Sequence, residues 1–98
     1  MVLILTPVAR RQLLSLQRYI AKESYPSRAE KYIVRLTNAL QRISRAPYQG
    51  TKRDDLGPGL RIVGFERRVS ILFLPSDEQV TVIGIFYAGR QPRSRDQD

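Results

Sequence analysis

The apolar residues of this chain change their period once, near residue 50, and that change limits the folds open to it. Before it they recur at helical spacing. Ala9, Leu13, Leu16 and Ile20 fall four, three and four apart, and Ala29, Ile33, Leu36, Leu40 and Ile43 repeat the pattern. After it the period is two. Leu60–Glu66, Val69–Leu74 and Val80–Tyr87 are short runs rich in Val, Ile, Leu and Phe, separated by turn signals at Arg67-Arg68 and at residues 75–79. A helix stripe and a strand face each need a partner to bury against. Helices followed by strands in 98 residues therefore predict one α+β domain over residues 1–98, with the helices packed on one sheet face.

Local signals place the boundaries. Val2–Leu5 reads as a short strand that joins the sheet, because its apolar side chains have nowhere else to go. Thr6-Pro7 starts the first helix, with a hydroxyl to cap free amides and a proline where a missing N–H costs nothing. Ser24-Tyr25-Pro26 breaks it, and Ser27 with Glu30 is spaced as a capping box for the second helix, which Ala46-Pro47 ends. So short a break predicts an antiparallel helix hairpin. Residues 48–59 are expected as a loop, the three later runs as a three-stranded antiparallel meander, and residues 90–98 as a flexible polar tail.

Composition enters through charge. The chain carries 17 Lys and Arg against 9 Asp and Glu, a net +8. From Arg10 to Arg45 nine basic residues face only Glu23 and Glu30, and 14 of the 17 cations are arginine, the residue suited to forked pairing with carboxylate or phosphate. Arg28, Lys31, Arg35, Arg42 and Arg45 share a face of the second helix. Like charges along one stripe repel, so an anionic partner is expected there, with Leu13 and Leu16 of the first helix as apolar contacts. A second set of cations, Lys52, Arg53, Arg61, Arg67, Arg68 and Arg90, lies on or beside the strands. Local pairing with Asp54 and Asp55 accounts for Lys52 and Arg53, and a polar turn for Arg67 and Arg68. Arg61 and Arg90 each abut an apolar strand and are the stronger site candidates.

The chain has no histidine and no cysteine, which removes the usual general base, thiolate chemistry and the usual zinc ligands. No metal or cofactor is expected. The opening residues 1–7 have neither the charge nor the apolar length of a signal peptide or membrane span, so a cytoplasmic protein is expected.

The run Asp54-Asp55-Leu56-Gly57-Pro58-Gly59-Leu60-Arg61 closely resembles the acidic-Leu-Gly-x-Gly-Leu-Arg segment of ParE-type toxins in the RelE/ParE superfamily. Leu5-Thr6-Pro7-x-Ala9, Ala29-x-x-Tyr32-Ile33-x-x-Leu36, Ala46-Pro47-x-x-Gly50 and Val69-x-Ile71-x-Phe73 are similar to the family's segments in order, so the resemblance covers roughly residues 3–90. It implies a RelE/ParE toxin-like fold and a cytoplasmic toxin of a type II toxin–antitoxin system. The implied partner is a ParD-like antitoxin whose acidic C-terminal segment wraps the toxin in a hetero-oligomer, contacting DNA only through that antitoxin. Arg28, Lys31, Arg35 and Arg42, with Leu13 and Leu16, are the expected antitoxin contacts. ParE-type members poison DNA gyrase without being enzymes, and Arg61, Arg67, Arg68 and Arg90 are then the expected target contacts. The alternative is a ribosome-dependent mRNA endonuclease of RelE type, with Arg61 and Arg90 on the phosphate and Tyr87 stacked on a base. A third reading is a degenerate toxin kept only as an antitoxin-binding module. The chain departs from the pattern at Tyr87-Ala88-Gly89-Arg90-Gln91, where many relatives carry His then Gly-x-Arg-Asp, and at Ile62, Val63 and Leu74, where aromatics are common.

Overall fold

The computed structural model describes residues 1–87; Arg90 and the expected tail lie outside the described residues. The elements run β1 (Val2–Leu5), α1 (Pro7–Glu23), α2 (Pro26–Arg45), β2 (Thr51–Lys52), β3 (Arg61–Phe65), β4 (Val69–Pro75) and β5 (Gln79–Tyr87). They form two layers, with both helices on one face of a five-stranded sheet of order β1-β5-β4-β3-β2.

The α+β class and the β3-β4-β5 meander are as the periodicity predicts, but the sheet is mixed and has five strands. β1 joins it parallel to β5, with Val2 opposite Gln79 and Leu5 opposite Val82. β2 lies inside the expected loop, antiparallel to β3 through Thr51 opposite Ile62 and Lys52 opposite Arg61. Joining the sheet buries only half of β1's apolar residues. Leu3 and Leu5 pack on the core, while Val2 and Ile4 remain exposed on the opposite face.

Thr6 does what its position before Pro7 predicts. Its Oγ1 accepts from the Ala9 N–H at 3.1 Å and donates to the Ile83 carbonyl at 3.1 Å, so the cap also ties α1 to β5. The expected capping box at Ser27 does not form. Pro26 occupies the first helical position, Tyr25 is the N-cap residue, and no side chain caps the helix. A proline's fixed φ is already helical there, so it draws the start of α2 back ahead of the serine.

The core is where the helix stripe meets the sheet. Leu36, Leu40, Phe73, Ile71, Val69, Val80 and Val82 are its largest fully buried side chains. Strict alternation along β5 would send Val80, Val82, Gly84 and Phe86 to the same face. Instead Leu72 pairs with Gly84 and Phe73 with Val82, so Ile83 is an extra residue. This bulge shifts the parity of β5, and Ile85 and Tyr87 join Val80 and Val82 on the helix side.

Candidate functional site

The segment between α2 and β3 is locked at almost every residue. Asp54 Oδ1 accepts from the Gly59 N–H at 2.9 Å. Arg53 forks onto Asp55 through Nε and Nη2, both at 2.8 Å, and this hydrogen bonding holds the Asp55 carboxyl below its ordinary range. Backbone bonds from Leu56 to Arg53, Leu60 to Gly57 and Arg53 to Leu60 close the loop. Gly59 has φ +80°. Gly50 also has φ +80°, and a Cβ there would run into the Ile62 carbonyl oxygen.

Arg61 belongs to this lock. Its Nε donates to the Gln49 carbonyl at 2.9 Å and its Nη2 to the Gly50 carbonyl at 3.4 Å, pinning the exit of α2 to the first residue of β3. Arg67 and Arg68 sit at the far end of β3, in the turn to β4. There Glu66 and Arg67 adopt φ +46° and +66°, a left-handed conformation costing roughly 1–2 kcal/mol per non-glycine residue.

The cationic stripe of α2 divides in two. Arg42 and Arg45 occupy the last turn, where positive charge complements the helix dipole. Arg35, about 10 Å back along the axis, is already engaged. Its Nε and Nη2 donate to the two Glu66 carboxylate oxygens at 2.8 and 3.0 Å. That bond holds Glu66 below the usual carboxylate range and raises Arg35. The expectation of a stripe without counter-charge is therefore corrected at Arg35, by an acid from the β3–β4 turn. Both partners are exposed, so the pair contributes little to stability.

Arg28, Lys31 and Arg35 instead line a cleft of about 440 Å³, with Ile20, Tyr25, Tyr32 and Tyr87. Arg28 lies over the Tyr25 ring at 5.0 Å and Arg35 over the Tyr32 ring at 5.3 Å. The Tyr32 ring meets Phe65 edge-on at 5.6 Å. Its hydroxyl is shut off from solvent and has no hydrogen-bond partner, a cost of about 1–3 kcal/mol. Burial, helped by the negative charge of Glu66 and by Tyr87 and opposed by Arg35, pushes the phenol up to about 12.

A second cleft, about 640 Å³, runs between α1 and the end of β5, lined by Val8, Gln12, Leu16, Tyr19, Phe86 and Tyr87 among others. It exists because β1 stops at Leu5 while β5 continues to Tyr87. Gln12 Oε1 takes the place of a neighbouring strand by accepting from the Ile85 N–H at 2.7 Å. The expected contact Leu16 is in the core at 5% exposure, and Leu13 is half-buried against it. The apolar groups that α1 does present are Val8, Leu14 and Tyr19, each close to half exposed. They lie off the main stripe of α1, which was the only sign of them in the sequence.

Of the expected endonuclease residues, Arg61 and Tyr87 are described and stand on different strands of the sheet. Arg61 pairs with Phe73 across β3 and β4, whereas Tyr87 pairs with Val69, which pairs with Phe65. Four residues along the strands and two strand spacings separate their Cα atoms, about 16 Å. Among the described residues no group of His, Cys, Asp or Glu is arranged to hold a metal ion.

The model of a family described as the ParE toxin of the type II toxin–antitoxin system parDE matches residues 3–92. The chain belongs to the ParE toxin family. A solved structure of the chromosomal ParDE toxin–antitoxin system from P. aeruginosa shares the ParE-family fold seen here, with a TM-score of 0.77 at 21% identity, covering 90% of this chain and 96% of that one. No curated protein sequence matches. For this ParE-family chain, the acidic-Leu-Gly-x-Gly-Leu-Arg run is the loop lock described above. Among the described residues no helix is long and apolar enough to cross a membrane.

Proposed function

We propose that this ParE-family toxin acts by binding: it is neutralised by an acidic antitoxin and, when released, inhibits DNA gyrase without enzymatic chemistry of its own. Membership of a parDE-type family implies an antitoxin partner. The cationic cleft of α2, with the exposed apolar groups of α1 beside it, fits a partner segment that is both acidic and apolar.

The observation that carries the non-enzymatic reading is the position of Arg61. It is spent on the Gln49 and Gly50 carbonyls, and the sheet register holds it about 16 Å from Tyr87. That backbone separation speaks against one phosphodiester touching both. A general acid or base must stand within hydrogen-bond reach of the proton it moves, and this spacing disfavours a bond shared by the two groups. Arg67 and Arg68, exposed on the β3–β4 turn, are the contacts this reading assigns to the protein target.

The test is a supercoiling assay with purified gyrase. Toxin in excess should stop supercoiling, and equimolar antitoxin should restore it. Gyrase that works unimpaired at excess toxin refutes the target. Discrete cuts in mRNA after induction, abolished by Arg61→Ala, would replace this reading with the endonuclease.

A further inference from the structure

The two clefts share one residue. Tyr87 lines both, and its ring packs on Tyr19 at 5.3 Å, so the two clefts adjoin at that residue as one track. The track changes character at that ring. On the α1 side apolar groups (Val8, Leu16, Tyr19 and Phe86) stand among Arg11, Gln12 and Ser15; on the α2 side the lining is cationic, with Arg28, Lys31 and Arg35.

Three features of the cationic half favour a carboxylate. Neither Arg28 nor Lys31 has an acidic partner among the described residues, whereas Arg35 does. The Arg35 fork already holds Glu66 with two parallel hydrogen bonds, so this wall is shaped to a carboxylate edge. Finally, the Tyr32 hydroxyl behind that wall lacks an acceptor. Nucleic acid fits less well, because a phosphate backbone would have to continue along the α1 half of the track, where Arg11 is the one cation among the described lining residues.

We propose that the Arg28–Lys31–Tyr32 cleft takes one Asp or Glu side chain of the antitoxin, with the antitoxin's neighbouring apolar residues lying in the α1 half of the track. The carboxylate pairs with Arg28 and Lys31. The unpartnered Tyr32 hydroxyl, in the lining of the same cleft, donates to it once the bound segment shifts the side chains that cover it. This rests on the antitoxin reading above and adds which residues read the acid.

The test is calorimetric titration of the full-length toxin with its full-length antitoxin, across a double-mutant cycle. Arg28→Gln with Lys31→Gln should weaken binding tenfold or more without lowering the melting temperature. One acidic residue of the antitoxin, changed to its amide, should cause a similar loss and add little further loss in the doubly changed toxin. Tyr32→Phe should weaken binding several-fold while the free toxin is as stable as before or more so. Wild-type affinity in the Arg28/Lys31 variant, or strictly additive losses for every antitoxin acid, would overturn the proposal while leaving the antitoxin reading intact. Failure of the unaltered pair to bind would remove both. If the variants lose only affinity for a single-stranded RNA oligonucleotide, the cleft reads phosphate and the proposal falls.

Discussion

Replacing Arg61 by methionine separates a structural role from a target-contact role. The substitution keeps the aliphatic stem and removes the donors that reach the Gln49 carbonyl at 2.9 Å and the Gly50 carbonyl at 3.4 Å. Hydrogen bonds from a charged donor contribute about 1.5–3 kcal/mol each at most. Here one bond is short and half-buried and the other long and exposed, and the freed carbonyls can turn to water. The expected loss is therefore about 1–2 kcal/mol. For a domain of this size each kcal/mol moves the melting temperature by about 4–8 °C, so thermal unfolding followed by circular dichroism should fall by roughly 5–15 °C. Gly50→Ala strains the same joint, because its backbone is at φ +80° and the added methyl meets the Ile62 carbonyl. It should therefore lose at least as much. An Arg61→Met protein that melts within about 1 °C of wild type refutes the lock. If that protein has also lost toxicity, Arg61 is a target contact.

Leu36 is fully buried, and Leu36→Ala should cost about 2–5 kcal/mol in urea unfolding, a large part of the stability of a small domain. Glu66 is held below its ordinary carboxylate range by Arg35, so its contribution is present above the unfolded value near 4.5 and is lost as pH falls through the lower folded value. Glu66→Gln should accordingly flatten the acid limb of the stability–pH curve below about pH 4.5, by a small amount because the pair is exposed; an unchanged limb would show that the pair does not persist in solution. Tyr32 is raised to about 12, so the fold loses stability as pH rises from the unfolded value near 10.0 through 12, because the unfolded chain gives up that phenol proton first. Alkaline titration of the phenol absorbance should show one late tyrosine that vanishes in Tyr32→Phe, and five tyrosines titrating together near pH 10 would contradict the burial of that hydroxyl.

The helices and the meander were legible because each carries its own period over several turns or several residues. β2 was not: two residues have no period, and Thr51-Lys52 becomes a strand only because Gly50 turns and Arg61 pins the chain beside β3. The parallel pairing of β1 was equally hidden, since an apolar run says that a strand is buried and nothing about its neighbour or direction. The Ser27–Glu30 spacing matched a capping box, but the proline before it controlled the helix start. The parity slip between Val80-Val82 and Ile85-Tyr87 was written in the sequence, and only its meaning as a bulge needed the register.

The candidate site was legible as charge and not as contact. Arg28 and Lys31 were identified from helical spacing, and both line the cleft. That Arg35 would be matched by Glu66, 31 residues away, depends on how the β3–β4 turn folds over α2, which no local pattern encodes. The same holds for Tyr32. Its place in a family-like helix segment was visible, but the isolation of its hydroxyl comes from the sheet packed behind it.

The pairing of β1 with β5 also bears on how the chain is made. Thr6 and its partner Ile83 are 77 residues apart, and among the described residues β1 pairs with no strand but β5. Synthesis therefore delivers β1 and both helices long before the strand that completes the sheet. Until β5 emerges, the faces of α1 and α2 that will be buried against it stay open, and closing so long a loop is slow compared with forming the helix pair. A toxin built this way acquires its finished shape late, and its helices are exposed to any binding partner throughout that interval.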